Sequence, residues 1–234
     1  MATSNSAAKA APRLDQRTRD ALSAFLRDVK GLPNESAKTH RFIALVAELF
    51  PGSSAVTRLA EGIERLVRID TGEALKRGRI DAYYGNAVIE FEKSLAATEA
   101  TAKKQLQDYV SALWSEDAGP RPLVCVASDG VEWKVFRPTC EVRKPTPNQV
   151  QLEPLRVLVL SENTAADFWI WLTSLLFREA NQEPTAERFR ADFGATSLAF
   201  AEARDTLQDA WVSLRESSEA KTAYQTWLRY LTLT

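Results

Sequence analysis

Gly78-Arg79-Ile80-Asp81-Ala82-Tyr83-Tyr84-Gly85-Asn86-Ala87-Val88-Ile89-Glu90-Phe91-Glu92-Lys93 decides how this chain is read. The stretch predicts two short strands joined by a tight turn. Val88, Ile89 and Phe91 are the bulky and β-branched residues that strands favour. Tyr84-Gly85-Asn86 supplies the turn, because Gly and Asn tolerate positive φ. Side chains alternate along a strand, so Glu90 and Glu92 share one face and Ile89, Phe91 and Lys93 the other. Asp81, on the preceding strand, then lies across from the Glu90/Glu92 face. Clustered carboxylates are costly unless a cation or a proton compensates them. An oxygen-only donor set of this kind suits Mg²⁺, or Mn²⁺, better than zinc. Taken alone, a carboxylate pair on a strand is equally the solvated face of a one-sided sheet.

The rest of the chain narrows the class. A net charge of −1 gives no global electrostatic signature for nucleic acid, so binding to it needs a local basic face. Cys125 and Cys140 lack metal-type spacing and point to a reducing compartment without disulfides. His40 is the single histidine, which excludes a multi-histidine metal site. No apolar run reaches the length of a membrane span, and the expected localisation is cytoplasmic. Residues 1–12 are rich in Ala and Ser and are expected to be disordered.

Periodicity predicts helices over 13–30, 35–50 (capped by Asn34) and 55–63. A strand follows at 65–69, then the two carboxylate strands, then a helix over 100–114. Residues 123–128 and 131–137, separated by Asp129-Gly130, predict a β-hairpin. One more strand covers 156–160. From Thr164 onward the pattern is helical, and five of the six tryptophans are read as packing residues there or on helix 100–114. Trp133 is read as strand core. The expected fold class is α/β: a mixed sheet flanked by helices with a C-terminal helical extension. The expected divisions are a core over 13–160 and a helical connector over 161–234 toward a further domain.

Asp81, Glu90-Phe91-Glu92-Lys93 and Gln105-Leu106-Gln107-Asp108-Tyr109 occur in that order, and here the chain resembles the PD-(D/E)xK nuclease superfamily. Gln105 and Tyr109 match the QxxxY helix of its RecB-like branch, and four residues apart they share a helix face. Asn34-Glu35-Ser36 with Lys38 to Phe42 resembles the helix near the start of nuclease domains fused to DNA methyltransferases. The resemblance implies a restriction-endonuclease-like fold and a Mg²⁺-dependent endonuclease, the cleavage module of a restriction-modification or phage-defence protein. In that setting Asp81, Glu90, the carbonyl of Phe91 and Glu35 hold the metal. Gln105, Tyr109, Arg79, Lys103 and Lys104 contact DNA. The implied partners are double-stranded DNA, a methyltransferase or helicase domain, and a second copy for double-strand cleavage.

One departure stands out. The family has acid-x-Lys on the second strand, whereas here Glu92 occupies the lysine's slot and Lys93 comes one position late. Either Glu92 handles the proton of the attacking water, or a bulge re-aims Lys93 into the site. A nuclease-derived domain that binds DNA or a partner protein without cutting is the alternative function, and a nuclease acting on RNA is a further one.

Overall fold

A computed structural model describes residues 14–51, 65–71, 75–116, 120–176 and 186–214, with Val56, Glu61, Thr222, Gln225 and Thr226. The helix expected over 55–63 lies outside the described residues apart from Val56 and Glu61, both helical. The N-terminal segment 1–12 and the last tail helix, expected around Tyr224 to Leu231, lie outside them almost entirely.

Helix α1 (Gln16–Gly31) starts at Asp15, whose carboxylate accepts the Thr18 N–H at 2.7 Å and hydroxyl at 3.0 Å. It buries Ala21, Leu22, Phe25 and Val29, a stripe at helical spacing. Helix α2 (Glu35–Leu49) is capped by the Asn34 side chain, as expected, and buries Phe42, Leu45 and Val46. Strands β1 (Arg65–Asp70) and β2 (Leu75–Ile80) form an antiparallel two-stranded ribbon. Asp81 sits in a bend, and β3 (Ala82–Tyr84) and β4 (Ala87–Phe91) follow as the hairpin the sequence predicts. Gly85 makes its turn with φ 58°.

Helix α3 (Leu95–Glu116) begins five residues before the expected start at Ala100. Asp129, far along the chain, explains the extra turn: its carboxylate accepts the Leu95 N–H at 3.2 Å and so holds the helix start. The α3 crossover places β5 (Val124–Ser128) parallel to β4, the βαβ arrangement such a connection produces. Strands β6 (Glu132–Thr139) and β7 (Gln151–Val159) complete a sheet ordered β3-β4-β5-β6-β7. β7 is longer than the expected 156–160 because its first half pairs with β6 in spite of Pro154. Proline is tolerated there because β7 closes the strand order and is an edge.

The sheet has two distinct faces. One carries Val88, Cys125, Ala127 and Phe136 against Leu106, Tyr109, Val110 and Leu113 of α3. Across the other, Phe91 and Trp133 meet Phe42 of α2, and Trp133 also meets Phe168 and Trp171. Phe168 and Trp171 belong to α4 (Ala165–Leu176), so this helix closes the core instead of leaving it. The architecture is therefore mixed α/β with helices on both sides of a five-stranded sheet. The chain separates into two compact units, Met1–Arg188 and Phe189–Thr234. Helix α5 (Ala186–Phe193) spans that boundary and α6 (Leu198–Leu214) lies in the second unit. Trp211 on α6 is 44% exposed, and Leu207, four residues before it, is exposed too. No helix among the described residues is long and apolar enough to cross a membrane.

Gly130 ties the β5–β6 turn to α1. Its φ is 89°, and a Cβ there would meet Val29 Cγ2 at 2.2 Å. Gly130→Ala combines left-handed strain with a clash inside a packed layer and is expected to cost about 2 kcal/mol or more. A denaturant midpoint within error of the parent would contradict this close approach.

Candidate functional site

The carboxylates converge at the C-terminal end of β4, beside the C-terminal end of its parallel neighbour β5. The cross-strand register, Ala82 opposite Ile89, puts Asp81 opposite Glu90. The Asp81 carboxylate bonds to the residue after Glu90: the Phe91 N–H donates to Asp81 Oδ2 at 2.9 Å. Glu90 is 3% exposed, and its Oε2 has no hydrogen-bond partner. Burial, then the charges of Asp81, Glu92 and Glu35, push the Glu90 carboxyl up to about 10. Glu92 is also buried, and burial, with Glu35 and Asp81 adding to it, raises its pKa against a lowering contact from the Thr98 side chain. Glu35 is exposed in the first turn of α2, and its field reaches both strand glutamates. Four carboxylates predicted from separate parts of the sequence thus lie within one another's fields.

They do not yet close a coordination sphere. Among the described residues, no three acidic, histidine or cysteine side chains are gathered tightly enough to hold a metal ion. Asp81 is turned to the Phe91 amide and Glu92 to Thr98. The donor chemistry nevertheless fits a hard divalent cation: all donors are oxygen, and one buried carboxylate oxygen lacks a partner.

The ladder decides between the two readings of Glu92 and Lys93. The Glu92 N–H donates to Ser128 O at 2.8 Å, one step beyond the Phe91–Ser128 pair, so regular pairing continues to Glu92 without a bulge. Glu92 points inward and Lys93 is exposed. The bulge that would re-aim Lys93 is not formed, and the Lys93 side chain lies on the surface. The Phe91 ring lies in the aromatic layer, as strand alternation requires.

The helix residues also come to the site. Tyr109 is buried on α3, where burial and then the charges of Glu90 and Asp81 raise its pKa; a hydrogen bond with the Gln105 side chain opposes them. Its hydroxyl donates to Arg79 O at 2.7 Å. Gln105 Oε1 is buried without a partner, a second orphaned oxygen on the same helix face. The remaining expected DNA contacts divide. Arg79 and Lys104 are exposed, whereas Lys103 is half-buried in the fold's own network. It pairs with Glu99 at 2.7 Å and lies 5.1 Å from the Phe136 ring centroid. Two lysines, Lys103 and Lys134, hold the Glu99 carboxyl down at about 2. His40 is on the surface, its Nδ1 2.7 Å from Ser36 O.

Lys38 escaped the sequence reading. It is 5% exposed, and its ammonium donates to Lys93 O at 2.8 Å and to Asp129 O at 2.7 Å. Burial lowers its pKa, partly offset by Asp129 and Glu35. It fastens α2, one turn after Glu35, to the end of β4 and to the turn that starts α3. The available signal was a lysine at the helical spacing of a buried face, four residues before Phe42. Lys38→Met leaves two carbonyls without their donor and is expected to cost about 2–6 kcal/mol at roughly 1–3 kcal/mol for each orphaned group. Urea unfolding measures this, and an unchanged midpoint would contradict the clamp.

Comparison with protein-family models, with curated proteins and with solved structures finds no match.

Proposed function

We propose that this chain is a metal-dependent DNA endonuclease domain with a restriction-endonuclease-like core, the cleavage module of a restriction-modification or phage-defence protein. The observation that carries the reading is the buried Glu90 beside Asp81, Glu92 and Glu35, with one oxygen unbonded. Such a concentration of like charge is explained by a cation that the protein is built to receive. Tyr109, facing the same acids from α3 with the Gln105 side chain beside it, supplies the second support.

In this reading Asp81, Glu90, the Phe91 carbonyl and Glu35 hold Mg²⁺ or Mn²⁺. When bound, the ion would supply a water of lowered pKa and neutralise charge on the scissile phosphate. Glu92 accepts the proton of the attacking water, a task for which a carboxyl with a raised pKa is suited. Tyr109 braces the Arg79 backbone through its hydroxyl and so fixes the bend at Asp81. Double-stranded DNA is the proposed substrate, a methyltransferase or helicase domain the proposed neighbour, and a second copy the proposed means of cutting both strands.

The alternative is a degenerate nuclease fold that binds DNA or a protein without cutting. The exposed Lys93 and the unconverged carboxylates favour it. Incubation of supercoiled plasmid with this chain in Mg²⁺, Mn²⁺ or EDTA separates the two. Nicking with either metal and none with EDTA is expected. Binding of the plasmid without any nicking would favour the alternative.

A further inference from the structure

Basic residues are concentrated just before the site. Residues 65–79 carry five cations and two acids, in a chain whose net charge is −1. The β1–β2 ribbon sorts them by face. Val67, Ile69 and Ile80 are buried, while Leu66, Arg68 and Arg79 are exposed, Leu66 at 72%. Leu66 is the cross-strand partner of Arg79, and Arg68 that of Arg77. A leucine left in water is unfavourable, and Leu66 sits on the same outer face as the exposed Arg68 and Arg79. A ribbon with this outer face is suited to a polyanion.

The inner face ties that surface to the site. A Cβ at Gly78 would meet Ile69 Cδ1 at 2.5 Å and Tyr109 Cε1 at 3.2 Å, so the glycine lets α3 approach the ribbon closely. Tyr109 then bonds to the Arg79 carbonyl at 2.7 Å while facing Glu90 and Asp81. Arg79 precedes Asp81 by two residues, about 7 Å of extended chain. One tyrosine therefore holds the ribbon and lies within the field of the acid cluster.

We propose that the outer face of the β1–β2 ribbon, centred on Arg68 and Arg79, is a phosphate-binding track that leads duplex DNA to the carboxylate cluster. The proposal rests on the nuclease reading for its destination. Its substance is the surface itself: backbone contacts without base readout, through arginine to phosphate. Leu66 packs against sugar, which accounts for its exposure beside the two arginines.

The test is fluorescence anisotropy with a labelled 20-base-pair duplex, Ca²⁺ replacing Mg²⁺, across a salt series. The parent is compared with the double variant Arg68→Ser/Arg79→Ser, whose folding is checked by thermal melting, as both residues lie on the surface. The variant is expected to bind at least tenfold more weakly. Its slope of log affinity against log salt is expected to be shallower by about 2, the loss of two phosphate contacts. Unchanged affinity and slope, or binding by the parent that anionic lipid vesicles or an acidic peptide compete away as well as DNA does, would overturn the proposal. Ribbon-dependent binding by a parent that cuts no phosphodiester would leave the track standing and remove the nuclease reading; plasmid cutting that the double variant retains in full would do the reverse.

Discussion

Glu90→Gln is expected to raise the melting temperature of the metal-free protein at pH 8 and to abolish its stabilisation by Mn²⁺. Glu90 is buried among three other acids, and its folded-state pKa is about 10 against an ordinary 4.5. Between those values the folded state keeps a proton that the unfolded state has released. Stability therefore falls as pH rises above about 4.5 and levels off near 10. Glutamine has the same shape without the proton, so its advantage is absent at pH 4 and grows toward pH 8. Added cation reverses the order, because binding to the folded state alone stabilises it in proportion to occupancy. Differential scanning fluorimetry at pH 4, 6 and 8, with and without Mn²⁺, reads all three effects. A Glu90→Gln protein that melts below the parent at pH 8 would show that the carboxyl is a net stabiliser and not a poised ligand.

The second large effect is on cleavage. Asp81→Ala removes the acid that anchors the bend and is expected to reduce plasmid nicking at least about a thousandfold, since metal stabilisation is worth several kcal/mol and each 1.36 kcal/mol is tenfold in rate. Glu92→Gln keeps the shape but cannot take a proton, and a loss of about 10²–10⁴-fold is expected for an acid–base group. Lys93→Ala is expected to leave the rate within about twofold, the ordinary consequence of a surface change. The reverse ranking, with Lys93→Ala the more damaging, would mean that the strand end rearranges on binding DNA and that the regular Glu92–Ser128 ladder is not the working state.

Much of this was legible from local rules. Strand alternation placed Glu90 and Glu92 together, the Gly85-Asn86 turn fixed the hairpin, and its register brought Asp81 opposite Glu90. The four-residue spacing of Gln105 and Tyr109 put both on the face of α3 that meets the acids. Hidden features were those decided by distant partners. Asp129 starts α3 at Leu95 from 34 residues away. Lys38 reads as an ordinary helix lysine until two carbonyls from 55 and 91 residues on close around it. Lys103 resembled a free phosphate contact because nothing in its neighbourhood announces that Phe136 lies beneath it. The first half of β7 was masked by Pro154, which an edge strand accepts.

The most direct measurement is calorimetric titration of Mn²⁺ into this chain and into its Asp81→Ala and Glu90→Gln variants at pH 8. Saturable binding to the parent that both variants lose is the predicted result. No heat of binding to the parent at millimolar Mn²⁺, or binding that both variants retain, would contradict the assignment of this acid cluster as a metal centre.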